Sequence, residues 1–155
     1  MPVHAEQRLL PYRPDQLFDL VADIERYPEF LPWCIGARIT RREPKLIHAD
    51  LIIGFRMIRE RFTSRVSLDR ANGRIEVAYL DGPFKYLRNR WLFEPAENDM
   101  TRLDFFVDFE FRSALLRRLI GVLFNEAVRR MVAAFEARAR QLYGKPEFGL
   151  QSGPA

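Results

Sequence analysis

The chain has 155 residues, 48% hydrophobic and 30% charged, a balance that excludes wholesale disorder and fits one ordinary domain. No uncharged apolar stretch approaches the ~20 residues a bilayer crossing needs. The start, Met1-Pro2-Val3-His4, lacks the basic segment and apolar run of a secretory signal, so the expectation is a cytoplasmic protein.

Val3 to Leu10 reads as a first strand. Pro14-Asp15 opens a helix carrying Leu17, Phe18, Val21 and Ala22 at helical spacing, interrupted near Tyr27-Pro28 because a residue before proline is pushed out of the helical region. An apolar knot follows, Tyr27-Pro28-Glu29-Phe30-Leu31-Pro32-Trp33-Cys34. From Ile35 to Arg112 the pattern is strands. Ala49, Leu51, Ile53 and Phe55 alternate with polar or small residues, and Phe62, Ser64, Val66 and Leu68 oppose Arg61, Thr63, Arg65 and Ser67. Asn72-Gly73 and Asp81-Gly82-Pro83 mark turns. The clearest alternation sets Leu103, Phe105, Val107, Phe109 and Phe111 against Asp104, Asp108, Glu110 and Arg112. Six strands after the knot, seven with the first, are expected. Ser113 caps a last helix running to about Tyr143, where Gly144 ends it. Its apolar face carries Ile120, Leu123, Phe124, Ala127, Val128, Met131, Phe135 and Leu142. A one-sided antiparallel sheet needs a cover, and this helix is the only element long enough. The sheet must therefore curl around it. The tail from Gly144 is rich in Gly, Pro and Ser and reads as frayed.

The residues offer little for catalysis. Cys34 sits in an apolar segment with no histidine near it in sequence, and reads as a buried inert thiol. As the single cysteine it excludes an internal disulfide or a paired-cysteine metal clip, and His4 and His48 leave little for zinc. Asp104 and Asp108 share a solvated strand face. There is no glycine-rich phosphate loop and no metal-ligand spacing. No enzyme activity, cofactor or metal is expected.

An apolar ligand is better provided for. Phe55, Phe62, Trp91, Phe93, Phe105, Phe109 and Phe111 fall on inward strand positions, facing Phe124, Met131 and Phe135. They describe either a plain aromatic core or the wall of a cavity. The knot carries Tyr27, Phe30, Leu31 and Trp33 between two prolines, as a lid or a gate would. Net charge is only +4, but arginine supplies 22 of the 25 basic residues. Arg112, Arg117, Arg118 and Arg129 surround Leu115, Leu119 and Val122, which fall on the last helix away from the core. Leucines ringed by arginines suit an anionic membrane surface, and equally a protein contact.

The knot resembles the signature of the coenzyme Q-binding, START-like family, which also includes ribosome-association toxin homologues. Three further stretches agree: Gly54-Phe55 with Glu60-Arg61-Phe62-Thr63-Ser64-Arg65-Val66; Asp81-Gly82-Pro83-Phe84-Lys85-Tyr86-Leu87 leading to Trp91-Leu92-Phe93-Glu94-Pro95; and the terminal helix with Phe124, Met131, Phe135 and Ala139. The resemblance covers about residues 3 to 143. It implies an α+β helix-grip fold, a curved antiparallel sheet of about six to seven strands around a long C-terminal helix, with short helices after the first strand. Residues 1–143 would form the START-like domain and 144–155 a flexible tail.

It further implies a deep apolar cavity that binds ubiquinone or a late quinone intermediate, in support of respiration or quinone biosynthesis and without catalysis. On this reading the ligand is held by Tyr27, Phe30, Leu31, Trp33, Phe84, Trp91, Phe105, Phe109, Phe124, Val128, Met131 and Phe135. Leu115, Arg117, Arg118, Leu119 and Val122 meet an anionic membrane, placing the protein at the inner membrane's periphery. Two other readings stay open: association with the ribosome, and a small cyclase or aromatase using polar groups such as Ser64, Tyr79 or Asn89 inside the cavity. DNA is not an expected partner.

Overall fold

The computed structural model describes residues 3–55 and 58–144, without the side chains of 55, 58, 120, 122, 123 and 125. The expected tail over 144–155 lies, past Gly144, outside the described residues. Seven strands form one antiparallel sheet: β1 (Val3–Leu10), β2 (Cys34–Glu43), β3 (Leu46–Phe55), β4 (Ile58–Asp69), β5 (Arg74–Asp81), β6 (Phe84–Pro95) and β7 (Thr101–Phe111). Their order is β1-β7-β6-β5-β4-β3-β2, a meander whose first strand returns to pair with the last. Register shifts at Cys34/Gly36, Ile39/Arg41, Thr63/Ser64 and Phe84/Tyr86 bend the strands and sharpen their twist. The resulting curved sheet grips α2 (Ala114–Tyr143), with α1 (Pro14–Ala22) packed at one end.

Each element follows from its sequence. Pro14 presets the first turn of α1, and the Gln16 side chain accepts from the Arg13 N–H at 3.0 Å. The Ser113 hydroxyl accepts from the Leu116 N–H at 3.3 Å and caps α2, while Gly144 at φ 80 closes it. Along β4 and β7 the inward residues Phe62, Ser64 and Val66, and Leu103, Phe105 and Phe111, are buried as the alternation requires.

Two local expectations are corrected, and one strand has an unusual phase. Helix α1 ends at Ala22, not near Pro28: Asp23 leaves the helical region at ψ 66, and a 3-10 helix takes over from Ile24 to Glu29. That tighter winding lets the Tyr27 hydroxyl donate to the Val21 carbonyl. Leu142 is half exposed, because α2 ends against β1 and α1 through Ala139 and Tyr143, whose hydroxyl donates to the Gln16 carbonyl at 2.9 Å. In β1 the phase is the reverse of a simple apolar-in pattern. Val3 and Leu9 face out, while His4, Glu6 and Arg8 face in. They are satisfied there by one another and by Glu136 of α2. Burial alone would raise the Glu6 carboxyl, but hydrogen bonds from His4 and Arg8 outweigh it and hold the group below its ordinary range.

Candidate functional site: an apolar cavity between sheet and helix

The concave face of the sheet is not completely filled. Toward α1 the packing is tight, with a residual void of about 20 Å³ under Leu17, Leu20, Phe93 and Leu103. Between α2 and the rest of the sheet lies a cavity of about 660 Å³, within the range of small-molecule sites. Its walls follow the inward phase of each strand. Leu51 and Ile53 come from β3; Phe62, Ser64 and Val66 from β4; Ile75 and Val77 from β5; Phe84, Leu87, Asn89 and Trp91 from β6; Phe105, Val107, Phe109 and Phe111 from β7. Helix α2 supplies Leu116, Phe124, Val128, Met131 and Phe135. The segment before β2 contributes Ile24, Tyr27, Leu31, Pro32 and Trp33.

Edge-to-face aromatic contacts brace the walls. Trp91 meets Phe105 at 4.7 Å and Phe135 at 5.1 Å between ring centroids, and Phe84 meets Phe62 at 5.3 Å and Phe109 at 5.4 Å. Glu60 on β4 and the exposed Glu126 and Arg130 on α2 place the mouth beside Trp33, Pro32 and Gly54. At the mouth the Trp33 carbonyl accepts from the Gly54 N–H at 2.8 Å, tying the proline-stiffened segment to β3.

Of the twelve residues expected to hold the ligand, eleven are on this wall: Tyr27, Leu31, Trp33, Phe84, Trp91, Phe105, Phe109, Phe124, Val128, Met131 and Phe135. Phe30 is not among the lining residues. Its ring packs behind the wall, edge-on to Phe135 at 5.2 Å and under the Arg138 guanidinium at 5.2 Å. Leu51, Val66, Val77, Leu87, Val107 and Leu116 also line the cavity, with Phe62 and Phe111, which the inward strand phase already sets opposite the last helix.

The polar groups are few. Ser64 and Asn89 stand on the wall, whereas the Tyr79 hydroxyl turns away and accepts from the Phe84 N–H at 3.0 Å. Cys34 is buried, its thiol pushed up by that burial and hydrogen-bonded to the Gly36 carbonyl at 3.5 Å. Burial likewise pushes the Tyr27 phenol up. Among the described residues no group of His, Cys, Asp and Glu could hold a metal ion.

On α2, Leu115 and Leu119 are exposed, at 65% and 39%, and Arg118 is exposed beside them. Arg117 is exposed as well, and it is also bonded to the backbone. Its guanidinium donates to the carbonyls of Phe111 and Arg112, both at 3.0 Å, stitching the end of β7 to the helix start. The side chain of Val122 lies outside the described residues. No helix among them is long and apolar enough to cross a membrane.

A sheet wrapped on one long helix, with an open apolar interior, is a fold that known proteins share. A family model described as "Polyketide cyclase / dehydrase and lipid transport" matches residues 10–136. The chain belongs to this family. The Ribosome association toxin RatA of Rickettsia prowazekii is 40% identical over 138 residues, 87% of this chain and 94% of that protein. The mitochondrial Coenzyme Q-binding protein COQ10 homolog B of Xenopus laevis is 34% identical over 151 residues, 95% of this chain and 62% of that protein. The crystal structure of the Zhui aromatase/cyclase from a Streptomyces species superposes with a TM-score of 0.80 over 99% of both chains at 16% identity, a likeness of fold alone. The frame they share with this chain is the helix-grip, START-like one.

Proposed function

We propose that the protein binds an isoprenoid quinone, ubiquinone or a late intermediate of its synthesis, in the 660 Å³ cavity, and acts as a lipid chaperone, not an enzyme. The observation that carries the reading is the wall itself: aromatic and aliphatic over most of its area, with the charged groups Glu60, Glu126 and Arg130 at the mouth. Burying isoprenoid carbon contributes about 0.8 kcal/mol per methylene-sized group, so a few isoprene units suffice for micromolar binding after ordering costs. The interior wall offers neutral donors in Ser64 and Asn89, and among the described residues its ionisable groups away from the mouth, Cys34 and Tyr27, are both held neutral by burial. That composition supports holding over acid-base chemistry. A long-tailed quinone resides in the bilayer, so the account includes peripheral contact through Leu115, Leu119 and Arg118.

Titration with a short-tailed ubiquinone analogue tests the reading. Saturable binding is expected, and Val77→Phe, which fills the cavity from its wall, abolishes it while leaving the thermal midpoint unchanged or raised. Equal binding by both proteins would place the quinone elsewhere and defeat the proposal.

A second reading, ribosome association, has one structural observation in its favour besides the relatives that carry that name. On the convex face Arg41, His48, Arg65 and, across Ala78, Arg88 occupy one row over five strands. Such a row suits phosphate contacts, whose strength falls steeply with salt. Cosedimentation with ribosomes across a salt series, with Arg65→Glu as the variant, separates the two readings.

A further inference from the structure

Among the described residues Ser64 and Asn89 interrupt an otherwise largely apolar interior wall. Ser64 is 2% exposed. Its side chain is on the cavity wall, and among the described residues its hydroxyl makes no hydrogen bond. Its oxygen is not among the buried unpartnered atoms of the described residues, so it opens onto the cavity and is free to meet a ligand there. Asn89 is held differently. Its amide nitrogen donates to the Phe106 carbonyl at 2.9 Å, and its oxygen accepts from the Trp91 indole N–H at 3.0 Å. Those two bonds fix the amide plane and leave its second N–H unused.

Position matters as much as chemistry. Glu60 marks the mouth, and Ser64 is four residues further along the same strand face, roughly 13 Å deeper at strand rise. Asn89 is beside Trp91 toward the closed end. The interior therefore presents neutral donors in depth, and the charges Glu60, Glu126 and Arg130 stay at the rim. A carboxylate or phosphate head would be misplaced in such a wall, because among the described residues no cation lies at depth to receive it. A neutral ring bearing acceptor oxygens fits both donors.

We infer that Ser64 and Asn89 form the subsite for the ring of the ligand, so that the quinone enters head first and its isoprenoid tail trails toward the mouth at Trp33. This rests on the quinone-binding reading and adds to it an orientation and a specificity for carbonyl-bearing rings over plain prenyl chains.

The two tryptophans of the chain report the orientation, since Trp33 is at the mouth and Trp91 at depth. A quinone ring quenches indole fluorescence at short range. In Trp33→Phe, where Trp91 is the remaining indole, bound short-tailed ubiquinone should quench the emission strongly, with occupancy measured in the same samples by extraction. Ser64→Ala should bind the quinone about fivefold more weakly, the worth of one net hydrogen bond, and Ser64→Thr should restore it. Binding of a prenyl hydrocarbon of equal tail length should be unchanged in both variants. Occupied Trp33→Phe protein with unquenched Trp91 would overturn the head-first orientation. So would Ser64→Ala binding quinone as well as the unaltered protein does. If the unaltered protein binds no quinone at all, the quinone reading itself falls, and this inference with it.

Discussion

The guanidinium of Arg138 lies 5.2 Å from the centroid of the Phe30 ring and reaches past it to donate to Glu29 at 2.6 Å. Helix α2 thereby holds the segment that carries the cavity mouth. Phe30 and Tyr27 add edge-to-face contacts with Phe135, at 5.2 and 5.6 Å. The latch joins a long regular helix to an irregular segment whose own backbone bonds are few, chiefly Leu31 N–H to Tyr27 at 2.9 Å and Cys34 N–H to Leu31 at 3.3 Å.

Loss of the latch should therefore loosen the mouth without loosening the sheet. Arg138→Ala is expected to speed amide exchange at Leu31 and Cys34 several-fold while amides of β5 and β6 keep their protection. The removed cation–π contact is worth about 1 kcal/mol. Uniformly faster exchange across the sheet would show that Arg138 supports the whole fold instead.

Much of this arrangement is legible in the chain, and the exceptions have physical causes. Strand β7 declares its inward set, Leu103 to Phe111, because one face meets the core and the other meets water. Phe30 misleads because a 3-10 turn followed by irregular backbone has no period from which to read a direction. The backbone bonds of Arg117 are not legible in the sequence, because its acceptors, the carbonyls of Phe111 and Arg112, come together only once a strand end meets a helix start. In β1, His4, Glu6 and Arg8 turn inward because an edge strand faces the flank of α2, where Glu136 waits as a partner. Ser64 and Asn89 are visible as polar residues on inward positions, yet only the walls assembled around them distinguish the bonded Asn89 from the unpartnered Ser64.

The two tryptophans should separate function from stability. Trp91 is 6% exposed and touches Phe93, Phe105 and Phe135. Trp91→Ala should cost the ~3–5 kcal/mol of a core aromatic truncation. Trp33 is only half-buried at the mouth, so Trp33→Ala should cost much less in urea unfolding while weakening quinone binding more than tenfold. A loss of stability equal to that of Trp91→Ala would make Trp33 a structural residue.

Two glycines should respond in opposite directions. Gly82 turns the β5–β6 connection at φ +146, and a Cβ there would come within 2.5 Å of the Phe62 Cβ. Gly82→Ala should destabilise by about 2–4 kcal/mol through strain and overpacking, and distort the cavity wall at Phe62. Gly121 lies within α2, where a Cβ would meet nothing within 4 Å. Gly121→Ala should raise stability by about 0.5–1 kcal/mol. Thermal unfolding of the two variants checks both signs.

The proposed membrane contact is best probed without Arg117, whose bonds belong to the strand–helix junction. Leu115→Asp combined with Arg118→Glu should sharply reduce sedimentation with anionic liposomes at low salt, an effect that added salt diminishes. Binding of a short-tailed quinone in detergent should be unchanged, because these side chains point away from the cavity wall. Undiminished sedimentation would remove this face from the account.

The central claim is that an isoprenoid quinone occupies the cavity. Its most direct test is organic extraction of the protein purified from a quinone-producing host, followed by mass spectrometry, with Val77→Phe purified in parallel. Quinone, or a late prenylated intermediate, is expected near one molecule per chain in the unaltered protein and at a trace in the variant. Equal traces in both folded proteins, or a different lipid class filling the unaltered cavity, would contradict it.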